Sequence, residues 1–461
     1  MSTSEIAGRP AAGTSSHAGP ADAGEASAPD GGANHLVRGS AWFVASVMIG
    51  ALGGFIVTWI ATGVADADTL GRAQSLQVAV LFVTYATGMG LPVAVARYAG
   101  ANTRSVNVLY TWALLYTCLS SIVGTIGFYV VASVFMPDGA TRQAFEQLNQ
   151  WGTIPGAAVF FCMVTGMSFT LLVEVRLVTL RQWRWVLARV VLLNAVRLPL
   201  LFVPVLGTTT LGLVLILVGV PAASGLIGAV LIRLATPRAD RGTLFPVPSE
   251  ARPALRYANV HYVGMLSAQA PQFTVPLLVT SSVPAAEASA FAVAWLITAV
   301  VFLIPHTVGQ VLLAESSRQP SAVAPQVRTA LLITVPTMIV AAVGAIVLGP
   351  RLATTVFGPE YALTGEVLGR FVSAGVPWAI TATLLARARV LGRNRAAIII
   401  TGVFAVVTLG SVAAVVGSGG VEAAATAWLI ANVVAALAAI ITTVATRTVS
   451  VGHLVPSPEP T

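Results

Sequence analysis

The sequence predicts an all-α multi-pass membrane protein. It would have about twelve transmembrane helices in two six-helix bundles, related by a pseudo-two-fold axis along the membrane normal. Three observations predict this fold class. Hydrophobic residues make up 56% of the 461 and charged residues only 9%, against the ~25% charged content of soluble domains. Apolar runs long enough to cross a ~30 Å hydrocarbon core recur along the chain. The basic residues, all arginine, collect in alternate connections between those runs.

Residues 1–35 are rich in Ala, Gly, Ser and Pro without apolar periodicity, which predicts a disordered tail. The first run, Ala41–Val64, is too long for a cleaved signal core and reads as a retained span. Further spans are expected at Leu76–Ala96, Val106–Met136, Trp151–Val173, Val186–Val205 and Thr210–Leu231. The second set is expected at Tyr257–Val279, Ala288–Leu313, Leu331–Leu348, Val367–Leu385, Ala396–Val416 and Val421–Val444. The organisation is therefore a bundle over 36–233, a linker over 234–256, a second bundle over 257–447 and a tail over 448–461.

Arginine placement sets the orientation. One set of connections carries Arg97, Arg104, Arg176, Arg181, Arg184, Arg189, Arg233, Arg238, Arg241, Arg252, Arg256, Arg318, Arg328, Arg387, Arg389, Arg393 and Arg395. The other set carries only Arg72, Arg142, Arg351 and Arg370. The first set, and with it both termini, is expected on the cytoplasmic side. The net charge of +8 is thus a topological signal, and no nucleic-acid partner follows from it. Cys118 and Cys162 both fall inside apolar runs, so neither a disulfide framework nor a metal site is expected.

The two sixes share an order. The loop Arg176…Arg184 falls on Arg387…Arg395 at an offset close to that relating Arg38 to Arg256 and Phe55 to Phe273. Parallel repeats of this kind place a binding site at their interface near the bilayer midplane.

Arg197 stands near the middle of the fifth run, where a guanidinium costs about 2.5–3.5 kcal/mol on the mildest insertion scale. Such a charge faces a cavity or a partner, and Glu174 is the structural alternative. Asn194, three residues away, shares its face, with Pro199 and Pro204 just beyond. His261, Gln269 and Gln272 share one face of the seventh span beside Pro271 and Pro276. His306 and Gln310 follow Pro305 on the eighth at i and i+4. Interhelical hydrogen bonding is the plain alternative for each of these polar groups. Arg38 and Arg256 stand at the inner mouth, as topological anchors or as ligands for phosphate. Trp59, Trp151, Trp183 and Trp185 lie near span ends and are expected to anchor at the interface.

The motifs Arg38-Gly39-Ser40, Gly88-Met89-Gly90-Leu91-Pro92, Ala96-Arg97-Tyr98 and Phe357-Gly358-Pro359-Glu360-Tyr361 carry a resemblance. Over residues 36–447 the chain resembles the multidrug, oligosaccharidyl-lipid and polysaccharide flippase superfamily, most closely its polysaccharide branch. The resemblance implies a bacterial plasma-membrane protein without a cofactor. It would move a lipid-linked oligosaccharide from the cytoplasmic to the outer leaflet by alternating access, for surface polysaccharide assembly. Its partners would be that substrate and the surrounding membrane lipids. The candidate substrate ligands are Arg197, Asn194, His261, Gln269, Gln272, His306, Gln310, Arg38 and Arg256.

Two rivals remain. A drug/cation antiporter of the same superfamily calls for a buried carboxylate, and Glu174 is the nearest candidate. A membrane glycosyltransferase or polymerase could use Asp66 and Asp68, but such enzymes carry longer outer loops than this chain offers. With no phosphate loop, zinc spacing or nucleophile elbow, the chain is read as a transporter and not an enzyme.

Overall fold

In hydrocarbon every backbone N–H and C=O must be paired within the protein, and helices meet that demand residue by residue. The computed structural model describes residues 30–88, 90–97, 103–180, 182–236, 252–318 and 323–445, and every element among them is helical. The chain divides into the units Met1–Ala41 and Trp42–Thr461. The architecture below is that of the second.

The first six crossings are α1 (Asp30–Val64), the pair α2 (Ala67–Thr87) and α3 (Leu91–Arg97), α4 (Thr103–Val134), α6 (Thr153–Thr179), α7 (Trp183–Leu201) and the run α9–α10. That run joins α9 (Thr210–Val214) to α10 (Val220–Ala235) through a π-helical turn, Leu215–Gly219. Between crossings lie α5 (Ala140–Leu148) and the short α8 (Pro204–Gly207). Helix α1 begins at Asp30, inside the stretch expected as tail; Pro29 is the last proline before it, and the helix starts directly after.

The second six are α11 (Arg252–Ser282), α12 (Ala285–Arg318), α13 (Val323–Phe357), the pair α14 (Ala362–Ser373) and α15 (Gly375–Val390), and two crossings within α16 (Asn394–Ala445). Those two meet at Gly420, whose φ of 56° and ψ of −149° turn the chain back. Length and apolarity alone identify eight of the helices as spans, with α2 and α3 as a ninth bent by 52°. Helix α7 is not among them because it carries three arginines, Arg184, Arg189 and Arg197, and α11 because its histidine, amides and prolines lower its apolarity. The fold is twelve crossings in two lobes.

The same packing recurs in both lobes. The fourth crossing packs on the third and sixth (α6 on α4 and α10), and the tenth packs on the ninth and on α16 (α14 on α13, α15 on α16). Each lobe has its own apolar core, around Leu70, Phe160 and Leu213 in the first and Phe291, Phe371 and Val412 in the second. Large apolar residues such as Val123, Val340, Val347 and Val406 stand exposed on the outer faces, where lipid would cover them.

Helix α2 forms the seam with α11 and α12. Near the start of α2, a Cβ at Gly71 would lie 1.8 Å from the Ala285 carbonyl, so only glycine lets the backbones meet there. Past its end, Gly90 breaks α2 from α3 with φ 64° and packs against the Ala258 carbonyl, leaving 2.5 Å for any Cβ. The Gly-Leu-Pro motif is thus the corner that lays α3 against α11.

Candidate functional site

Three of the candidate residues come together in the second lobe. Helix α11 supplies Gln269 and Gln272, three residues apart on one face. Helix α12 supplies Trp295, Thr298, Phe302 and His306, again on one face, and α15 supplies Trp378. Phe404 and Trp428 come from the two crossings of α16. Together these groups line a cavity of about 220 Å³. Among the described residues, none of its lining is charged.

The rings form a connected wall. Trp295 and Trp428 meet with centroids 5.0 Å apart at 67°, and Trp428 and Phe404 at 5.8 Å and 66°. Trp378 meets Phe404 at 5.2 Å, and Phe302 lies nearly parallel to Trp378 at 6.3 Å. Edge-to-face and offset contacts at these separations are the favoured aromatic geometries. Opposite the rings, the two amides offer donors and acceptors and the imidazole offers one of each. Pro276 withholds the N–H that would reach the Gln272 carbonyl in a regular helix. Chemically, the site can stack a flat face on indole while hydrogen-bonding its polar rim. Drug-sized ligands occupy pockets of ~300 Å³ or more, so this cavity takes one ring-sized unit at a time.

Three of the nine candidate ligands, Gln269, Gln272 and His306, therefore converge. Gln310 lies one turn beyond His306, exposed and outside this lining. Arg256 is exposed near the start of α11. The side chains of His261 and Arg38 lie outside the described residues. In the first lobe, the Asn194 amide donates to the Val190 carbonyl at 3.0 Å and its side chain packs against Gly53 of α1.

The Arg197 guanidinium is held by backbone. Its Nε donates to the Ile216 carbonyl at 3.0 Å, and a terminal nitrogen donates to the Leu217 carbonyl. Both carbonyls have lost their helical donors. In the π turn the Val220 N–H reaches Leu215 instead of Ile216, and Pro221 has no N–H to offer Leu217. Arg197 replaces both. Glu174, the carboxylate expected as its alternative partner, pairs instead with Arg189 at 3.3 Å.

The tryptophans of the cavity carried a signal that went unread. Trp295, Trp378 and Trp428 lie well inside their spans, whereas interfacial tryptophans sit at span ends. Trp59 does lie near a span end, and its indole N–H donates to the Val356 carbonyl at 2.9 Å, tying α1 to α13.

The seam is closed along both parts of α2. Toward the end of α2 and into α3, Tyr85 stacks on Phe273 with centroids 3.6 Å apart, the Tyr262 hydroxyl donates to the Ala86 carbonyl, and Arg97 lies 4.4 Å over the Tyr257 ring. Beside the start of α2, where α5 meets α11, the Ala140 N–H donates to the Val283 carbonyl at 3.0 Å and the Thr141 and Thr280 hydroxyls meet at 3.0 Å. Gln269 lines both the aromatic cavity and a smaller one of about 70 Å³ at the seam, beside Tyr85, Tyr262 and Phe273.

Neither a family model nor a curated protein matches the sequence. Solved structures do match the fold. An inward-facing multidrug resistance MATE family transporter of the MOP superfamily superposes with a TM-score of 0.62 at 15% identity, covering 88% of this chain and 96% of that one. The lipid II flippase MurJ, in an inward closed conformation, superposes at 0.67 and 13% identity, covering 88% and 87%. A MOP superfamily transporter from Pyrococcus furiosus, described by a reversed polarity of its binding pocket, gives 0.55 at 14% identity, covering 90% and 95%. The chain has the fold of MOP-superfamily transporters. It is a multi-pass membrane protein with their twelve-helix, two-lobe architecture.

Proposed function

We propose that the protein is a transporter of the bacterial plasma membrane, with both termini cytoplasmic. It carries a lipid-linked oligosaccharide from the cytoplasmic to the outer leaflet by alternating access, and it is not an enzyme. The observation that carries this reading is the uncharged cavity of rings and amides around Trp378, Trp428, Gln269, Gln272 and His306. A pyranose presents a face of partly positive C–H groups to the negative face of an indole, and hydroxyls at its rim to amides. Arg38 and Arg256 take the phosphate at the inner mouth, while the lipid tail stays in the bilayer. His261 and Gln310 extend the polar face along α11 and α12, and Asn194 and Arg197 hold the first lobe in shape.

Transport of an organic cation is the rival, favoured by the same rings, since aromatic faces attract cations. The absence of a carboxylate from the lining and the engagement of Glu174 by Arg189 weigh against it. The test is reconstitution in vesicles with a fluorescent lipid-linked oligosaccharide and, separately, a cationic dye. Translocation of the glycolipid, lowered in Trp378→Ala with protein abundance unchanged, supports the proposal. Movement of the dye without the glycolipid overturns it.

A further inference from the structure

A second constellation lies in the first lobe, away from the aromatic cavity, at the end of the helices where the arginine-rich connections lie. Arg176, in the last turn of α6, is only 5% exposed. One of its terminal nitrogens donates to the side-chain amide oxygen (Oδ1) of Asn107 on α4, and its guanidinium carbon stands 6.0 Å from the centre of the Tyr110 ring. Arg189, in the second turn of α7, pairs with Glu174 and lies within electrostatic reach of the same tyrosine. Arg233 of α10 donates to the Thr111 hydroxyl at 2.9 Å on the neighbouring position of α4. Three guanidiniums thus stand around the start of α4 with one carboxylate among them.

Their hydrogen bonding is incomplete. The Nε of Arg176, the Nε and one terminal nitrogen of Arg189, and the Tyr110 hydroxyl are all buried without a partner among the described residues. A buried guanidinium with idle donors is costly, and an excess of buried positive charge more so. An oxyanion answers both at once, and guanidinium donors suit phosphate oxygens. The cluster lies one to two turns from the helix ends. At ~1.5 Å per residue that is the depth of lipid phosphates rather than of the acyl core.

Access comes through α7. Of its nineteen residues only Val186 and Leu201 are buried, and Val191, Leu192 and Val196 are exposed. Polar groups hold this helix: Arg189 to Glu174, Asn194 against Gly53, and Arg197 to the π-turn carbonyls. A helix tied by a few separate polar contacts can part from α6 at Arg189 while Arg197 stays bound.

We infer that Arg176, Arg189 and Tyr110, with Arg233 beside them, form a binding site for a phosphate oxyanion at headgroup depth in the first lobe. The site goes beyond the cargo reading and does not depend on it. It asks only for a phosphate, whether on a lipid headgroup or free in solution.

The test uses the full chain in nanodiscs. One arm adds inorganic pyrophosphate to phosphatidylcholine discs and follows thermal unfolding. The other dopes the discs with phosphatidic acid and measures lipid retained by the protein in native mass spectrometry. Stabilisation in the first arm identifies a soluble anion, and selective retention of phosphatidic acid in the second identifies a lipid headgroup; either supports the site. Arg189→Gln is expected to weaken the effect about tenfold, the loss of one charge-assisted hydrogen-bond pair. The exposed control Arg252→Gln leaves it unchanged. Glu174→Gln removes the competing carboxylate and is expected to strengthen anion binding, a gain that a purely structural ion pair does not predict. Should Arg189→Gln fold poorly, Tyr110→Phe and Glu174→Gln carry the same test with smaller disturbance. No response to either phosphate probe, or equal responses in Arg189→Gln and Arg252→Gln, overturns the inference.

Discussion

Arg197 and Leu217, twenty residues apart on neighbouring crossings, are joined because Pro221 cannot donate to the carbonyl that the guanidinium takes. A mid-membrane charge is thereby used to repair a helix. The same side chain reaches the Ile216 carbonyl, freed by the π register of Leu215–Gly219. The arginine answers a backbone deficit inside its own lobe.

Removing it should therefore act first on stability. Arg197→Met is expected to cost about 2–3 kcal/mol by leaving two carbonyls unpaired, read as a lower melting temperature of the purified protein. Pro221→Ala restores the N–H that Leu217 lacks, so the double variant should lose less than Arg197→Met alone. Additive losses would show that the proline is unconnected to the arginine.

The aromatic wall should act on transport. Trp378→Ala and Gln272→Ala are expected to lower glycolipid translocation about threefold to tenfold, as each removes roughly one stacking or hydrogen-bonding contact. Neither helix loses its core, so abundance in the membrane stays the same. Flux at the level of the parent protein in both variants would remove this cavity from the path.

The seam at Gly71 should act on conformation. Gly71→Val pushes side-chain atoms into the Ala285 carbonyl, where even a Cβ has only 1.8 Å. The seam is expected to open at this end of α2. Ser289, fully buried beside it and bonded to the Tyr361 hydroxyl at 3.0 Å, reports the change. With Cys118 and Cys162 replaced by serine, Ser289→Cys should become reactive to a membrane-impermeant thiol reagent only in the Gly71→Val background.

Asp66 gives a pH dependence outside the spans. It caps α2, accepting from the Thr69 N–H at 2.8 Å. Burial raises its pKa, but the bonds to Thr69 and the nearby Arg72 outweigh burial and hold the carboxyl below the ordinary range. The folded form therefore favours the ionised cap. Its contribution, about 1 kcal/mol for such a cap, is fully present above the unfolded value of ~3.9 and is lost as pH falls through the folded one. Melting curves from neutral to strongly acidic pH should show this loss in the parent protein and a flatter profile in Asp66→Asn.

The residues legible in advance were those whose signal lies along one helix. Gln269 and Gln272 share a face at i and i+3, and His306 follows Pro305 on the next span, so periodicity alone brought them forward. Trp295, Trp378 and Trp428 were not legible as a group. They stand on three separate elements, and no spacing within any one helix ties them together.

By itself the sequence determined the membrane class, the succession of twelve crossings and the side on which arginines gather. These depend on local apolarity and charge, which act span by span against the bilayer. Tertiary structure decided which lobe holds the cavity, that Arg189 rather than Arg197 takes Glu174, and that Arg197 is bound to carbonyls. Those outcomes depend on the lateral order of helices and on one π turn. Both are set by side-chain packing between segments far apart in the chain, where periodicity has nothing to report.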